Sequence, residues 1–149
     1  MVAGREYVSA LQRLSFRPDA VAWAIRAGAP EDRQFELIVV TSWVDAVGPR
    51  AIYDLLFEAY DASATPREID PFIVSLFSPQ TAVAGDLAAA LHTMTQGAPD
   101  GQPMFILGMM DYTTIPQWIV HHRAARRSTQ FDDARRFRAF QEKVLALAA

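Results

Sequence analysis

The chain has 149 residues, 51% of them hydrophobic and 21% charged, with a net charge of −3. This is the size and make-up of one globular domain, read here as residues 1–149, and a chain of this length buries roughly 68–70% of its unfolded surface without needing covalent staples. It has no cysteine, which rules out disulfides, thiolate-bound zinc and a thiol nucleophile, and it has a single lysine, Lys143. The charge is unevenly spread. Residues 1–110 carry 7 basic and 13 acidic side chains, whereas residues 111–149 carry 7 basic and 4 acidic ones.

Arg5 to Phe16 reads as a first helix, because Tyr7, Leu11 and Leu14 recur at helical spacing with Val8 beside them. Arg5 and Glu6 stand where a secretory signal would need an apolar core, so a cytoplasmic location is expected. Arg17-Pro18-Asp19 ends the helix. Residues 20–27 are ambiguous: Val21, Trp23 and Ile25 alternate as in a strand, whereas the alanines and Asp19 as an N-cap suit a helix. Strand is the reading taken, because residues 28–34 form a polar connector of hairpin-compatible length.

The strongest fold signal runs from Phe35 to Tyr60. Leu37-Ile38-Val39-Val40 is an unbroken, β-branched apolar run, which suits a strand covered on both faces. The strand is expected to continue through Thr41, Ser42, Trp43 and Val44, with Asp45 near its end. Gly48-Pro49 then opens a helix in which Ile52, Leu56 and Ala59 share the inner face.

Residues 72–77 are the next strand. Ser78-Pro79 is expected to open a helix that runs to about Gln96, with Val83, Leu87, Leu91 and Met94 inward and Gly97 beyond its end. The apolar run 104–110 predicts a third central strand, followed by Asp111. Ile115-Pro116 signals a short helix over 117–127. Ser128 or Thr129 caps a final helix, Thr129 followed by Asp132 resembling a capping box, and its inner stripe is Phe137, Phe140, Val144 and Leu147. Strands alternating with helices predict an α/β (or α+β) domain: one single-layer, mixed but mainly parallel sheet of about four strands, flanked by about five helices. The strand at 20–27 would be its antiparallel edge.

No phosphate-binding loop, dinucleotide fingerprint, nucleophile elbow or zinc-protease motif occurs. Candidate chemistry is therefore positional. In open α/β sheets, ligands bind beyond the carboxyl ends of the strands. That rule points to Asp45, Ser78 and Asp111, with Thr41, Ser42 and Tyr112 nearby. Paired carboxylates can move protons or hold a divalent cation, and Asp45 with Asp111 would be that pair. His121 or His122 could serve as a base, and Arg123 could bind phosphate or carboxylate. The simpler readings are a helix cap for Ser78, turn formers for both aspartates, surface histidines, and core anchors for Trp43 and Trp118.

Two functions follow. The first is a non-catalytic protein-interaction or self-associating module, a homo-oligomer or partner-binding protein with no cofactor. It rests on the missing motifs and on nine phenylalanines, three tryptophans and five methionines. The alternative is a small metal-assisted hydrolase or ligand-binding protein. Its catalytic residues would be Asp45, Asp111, His121 and His122, and its ligand-binding residues Ser42, Ser78 and Arg123, with a divalent cation as its cofactor. Neither nucleic-acid nor membrane binding is expected, since the chain is acidic overall and has no long apolar run.

Overall fold

The computed structural model describes residues 2–26, 35–95, 105–108, 112–123 and 128–147. Helix α1 (Val2–Arg13) leads into strand β1 (Ala20–Arg26). Strand β2 (Glu36–Val40) is followed by a single-turn helix α2 (Trp43–Val47) and by α3 (Pro49–Asp61). After a 3-10 turn (Pro71–Ile73) come β3 (Val74–Phe77) and α4 (Ala82–Thr95). The short strands β4 (Phe105–Leu107) and β5 (Tyr112–Thr114) precede a second 3-10 turn (Pro116–Trp118), β6 (Ile119–His122) and α5 (Gln130–Leu147).

These strands form one mixed, six-stranded sheet in the order β3-β2-β1-β5-β4, with β6 pairing β1 beyond the end of β5. Only β2 and β3 run parallel, Leu37 facing Val74 and Val40 facing Phe77. The sheet is thus mixed as expected, but it is neither four-stranded nor mainly parallel. β1 does pair antiparallel with β2, yet it is the central strand rather than an edge, because β5 and β6 occupy its other side.

The unbroken run 37–40 is explained by two cores. Leu37 and Val39 join Val21, Trp23 and Val74 under α1, α3 and α5. Ile38 and Val40 join Ala20, Ala22 and Ala24 under Val83 and Leu87 of α4. The alanines of β1 are small so that a helix can lie close, not because β1 is helical. Gly4 does the same on the other face: a Cβ there would stand 2.7 Å from the Trp23 indole nitrogen.

Four expectations about element boundaries need correcting. β2 stops at Val40, because Trp43 must turn inward: its ring stacks on Phe16 at 4.4 Å and meets Phe140 at 5.6 Å and Phe137 at 5.7 Å. The run at 104–110 yields a three-residue antiparallel strand rather than a central parallel one. Over the described part of the helix expected at 117–127, Ile119–His122 is instead a strand, where β-branched Ile119 and Val120 fit. Finally, α4 begins at Ala82, because Ser78 and Thr81 make a separate turn, Gln80 N–H donating to the Ser78 hydroxyl at 3.1 Å and the Thr81 hydroxyl to the Ser78 carbonyl at 2.6 Å. The connector at 28–34, Gly97 and the turn at 99–101 lie outside the described residues.

Two helices end in a serine with left-handed backbone, Ser15 at φ 70° and Ser63 at φ 61°. After α1, Phe16 N–H reaches Leu11 O (2.8 Å) and Ser15 N–H reaches Gln12 O (3.0 Å). After α3, Ala64 N–H reaches Ala59 O and Ser63 N–H reaches Tyr60 O, the same double-bonded helix stop. Of the two caps offered for α5, Ser128 and Thr129, it is Thr129 that serves, its hydroxyl accepting Asp132 N–H at 3.1 Å. Among the described residues no helix is long and apolar enough to cross a membrane.

Candidate functional site: a basic cleft at the end of strand β2

The C-terminal end of β2 meets the N-terminal end of β1 and the C-terminal end of β6. Asp19, just before β1, ties the three together. Its N–H donates to Val40 O at 2.8 Å, and its carbonyl accepts Arg123 N–H at 2.9 Å. Its side chain accepts Ser42 N–H at Oδ2 (3.2 Å) and the Arg123 guanidinium at Oδ1, from Nε at 2.9 Å and Nη2 at 2.8 Å. Both guanidinium contacts fall on one carboxylate oxygen, so the Nη1 amino group of Arg123 is directed elsewhere.

A cleft of about 390 Å³ opens beside this junction. Its floor is Thr41, Ser42 and the edge of Trp43. One wall is Gln12, Ser15 and Arg17, from the end of α1 and the turn after it. The other is Asp133, Arg136 and Lys143 on α5, with Arg123 closing the end. The aromatic cluster of Phe16, Trp43, Phe137 and Phe140 lies beneath and fixes α1, α2 and α5 relative to one another. Asp133, Arg136 and Lys143 sit at i, i+3 and i+10, which places them on one side of α5 beside the buried Phe137–Phe140–Val144 stripe.

Four cations therefore surround the cleft: Arg17, Arg123, Arg136 and Lys143. Arg123 has its partner in Asp19. Among the described residues Arg17, Arg136 and Lys143 form no ion pair. Asp133 is buried at 3% exposure and its Oδ2 accepts the Ser128 hydroxyl at 3.0 Å. Arg17, Arg136 and Lys143 are exposed and Arg123 is half-buried, so the cations act together through the convergence of their charge on one concave surface.

The residues singled out from sequence divide into three groups. Ser42 and Arg123 are brought together, both lining the cleft and both bound to Asp19. Asp45 and Ser78 are also brought together, the Ser78 hydroxyl donating to Asp45 Oδ2 at 2.6 Å. That pair ties α2 to the turn after β3, and the Ser78 hydroxyl also accepts Gln80 N–H, so it caps a turn. Asp111 lies outside the described residues, and the paired carboxylate centre with Asp45 has no geometry to report.

The histidines are on a strand rather than a helix, and adjacent strand residues face opposite ways. β6 carries a bulge between the positions facing Val21 and Ala22, so His121 faces Val21 and His122 faces Ala20. His121 shares the face of α1 and α5; His122 shares that of α4. The His121 proton affinity is lowered, chiefly by burial and further by Arg123 and His122, while the Pro18 carbonyl and Asp19 act the other way. No group of three histidine or carboxylate side chains among the described residues is arranged to hold a metal ion.

Asp19, Arg17, Asp133 and Arg136 were not singled out by the motif search. The α5 spacing was a readable signal for the last two. Asp19 and Arg123 are 104 positions apart, and nothing local marks that contact. No protein-family model matches this chain, and no curated protein or solved structure is significantly similar to it.

Proposed function

We propose that this domain binds a small anionic molecule in the cleft formed by Ser42, Arg123 and the basic side of α5. The observation that carries the reading is the convergence of four cations from three separate chain segments on one concavity. Among the described residues three of them form no ion pair, and arginine suits phosphate and carboxylate groups. The reading assigns no bond-making step, and it takes no metal ion. Titration calorimetry with inorganic phosphate at low ionic strength tests it. One saturable site is expected, lost in the Arg136→Gln/Lys143→Gln double variant. Absence of saturable binding to the unaltered protein would refute the reading.

Self-association is a second reading, favoured by one surface. Phe72 is 85% exposed, with its ring 4.8 Å from that of Phe57, beside the open edge strand β3. A large aromatic left in water at a sheet edge suits an interface with a partner or a second copy. Sedimentation at micromolar concentration should show a dimer that Phe72→Ser dissociates; a monomer throughout removes the self-association form.

A further inference from the structure

We infer that the ligand of the basic cleft is a small hydroxylated organic phosphate, a phosphorylated sugar or polyol, held by its phosphate among the cations and by a hydroxyl at Asp133. The inference rests on the anion-binding reading above and narrows it.

Charge is the first argument. Four cations face two carboxylates, Asp133 in the lining and Asp19 behind Arg123. Two positive charges are left over among the described residues. A phosphate monoester carries about −1.5 to −2 at neutral pH and matches that surplus, whereas a monocarboxylate leaves half of it unmet. Arg123 is also pre-set for the task. Asp19 holds its Nε and Nη2, which fixes the guanidinium plane and leaves the Nη1 donors for an oxyanion.

Asp133 is the second argument. A carboxylate in a cleft built for anions repels its ligand unless the ligand brings a donor to it. An ionised carboxylate only accepts hydrogen bonds, and the Ser128 hydroxyl meets one of its two oxygens. A hydroxyl on the ligand is the donor that turns this repulsion into recognition. The neighbouring Gln12, Ser15 and Ser42 are polar and neutral, as a polyol body would need.

Size and shape are the third. A volume of about 390 Å³ lies in the range that encloses a whole small molecule rather than a bare ion. A nucleotide fits less well. The one aromatic in the lining, Trp43, is 5% exposed and already stacked on Phe16, so no ring face is free for a base.

Calorimetric titrations with inorganic phosphate, glucose 6-phosphate and glucuronate decide the matter on the unaltered protein. Glucose 6-phosphate should bind about ten-fold more tightly than inorganic phosphate, and glucuronate more weakly than either. In Asp133→Asn, which keeps an acceptor for Ser128, affinity for inorganic phosphate should rise and affinity for glucose 6-phosphate should fall, closing most of the gap. Equal affinities for the two phosphates in the unaltered protein would overturn the inference and leave the anion-binding reading standing. So would a preference unchanged by Asp133→Asn, or glucuronate binding as tightly as the sugar phosphate. Failure of all three compounds to bind would overturn the anion-binding reading itself. If Asp133→Asn does not fold, the exposed Arg136→Gln serves instead: it must weaken both phosphates together, and loss of only one would overturn the shared phosphate seat.

Discussion

Replacing Asp19 by alanine tests whether the junction under the cleft is held as described. The substitution leaves both backbone hydrogen bonds of residue 19 in place and removes three side-chain contacts, two from Arg123 and one from Ser42 N–H. The side chains of Asp19 and Arg123 are 16% and 33% exposed. Their pair therefore falls between an exposed ion pair, worth about 0–1 kcal/mol, and a buried one, whose breaking costs about 3–5 kcal/mol. About 1.5 kcal/mol for the pair and about 1 kcal/mol for the Ser42 N–H gives a loss of about 2.5 kcal/mol. Urea unfolding at neutral pH measures it, with an unchanged slope confirming that only the native state was altered. Asp19→Asn keeps an acceptor for Ser42 and should cost about half as much. Combining Asp19→Ala with Arg123→Ala should give a coupling of about 1–1.5 kcal/mol. A loss below about 0.5 kcal/mol, or additive single variants, would refute the junction.

His121 predicts an acid-labile contribution. Its folded-state value lies below the ordinary 6.5, so as pH falls through 6.5 the unfolded chain takes up the proton first and stability declines until the folded-state value is passed; above 6.5 it contributes nothing. In His121→Gln the stability–pH curve should be flatter over that window, and an identical acid limb would count against the burial argument. Phe140→Ala empties a site at 0% exposure against Phe16 and Trp43 and should cost about 3–5 kcal/mol in urea unfolding, with loss of the cleft's affinity for phosphate. Ser63→Gly relieves a left-handed residue at the end of α3, far in the chain from the cleft residues, and should raise stability by about 0.5–1 kcal/mol; a destabilised variant would contradict the helix-stop geometry.

What could be read from sequence was what the local pattern dictates. The run 37–40 declared a strand buried on both faces, and Ile52, Leu56 and Ala59 declared the inner side of α3, all at 1% exposure or less. The alternation of Val21 and Trp23 correctly outweighed the alanines of β1. Apart from the start of α4, which a local turn at Ser78 delays, the errors share a cause: each was decided by a distant contact. Trp43 ends β2 because Phe16, Phe137 and Phe140 are there to receive it. Ile119 to His122 is a strand because β1 has an open side, and Pro116 starts a 3-10 turn instead of a helix. Strand direction is likewise non-local, so helices between strands suggested more parallel pairing than the single β2–β3 pair that forms. The candidate site was half legible. Ser42 followed from its place near a strand end and Arg123 from its type, an anion-binding arginine beside the histidines, whereas Arg17, Asp19 and the α5 residues join them only in three dimensions.

Arg123 reaches the end of β2 in this partly antiparallel sheet for a reason that lies in β6. Two demands act on that strand. Its start must place Ile119 with Ala22 under α4, an apolar requirement, and its end must bring Arg123 N–H to the Asp19 carbonyl at 2.9 Å. A regular ladder cannot satisfy both, because Ile119 faces Ala22 while His121, two positions on, faces Val21. The extra residue, Val120, absorbs the mismatch and packs against the core on the α1 and α5 side. Without it, a one-residue slip would turn every following side chain to the other face, and Arg123 would leave the cleft for the α4 side of the sheet. The bulge at Val120 is therefore what places a guanidinium, rather than a backbone edge alone, beside the end of β2, and the charge of the cleft depends on it.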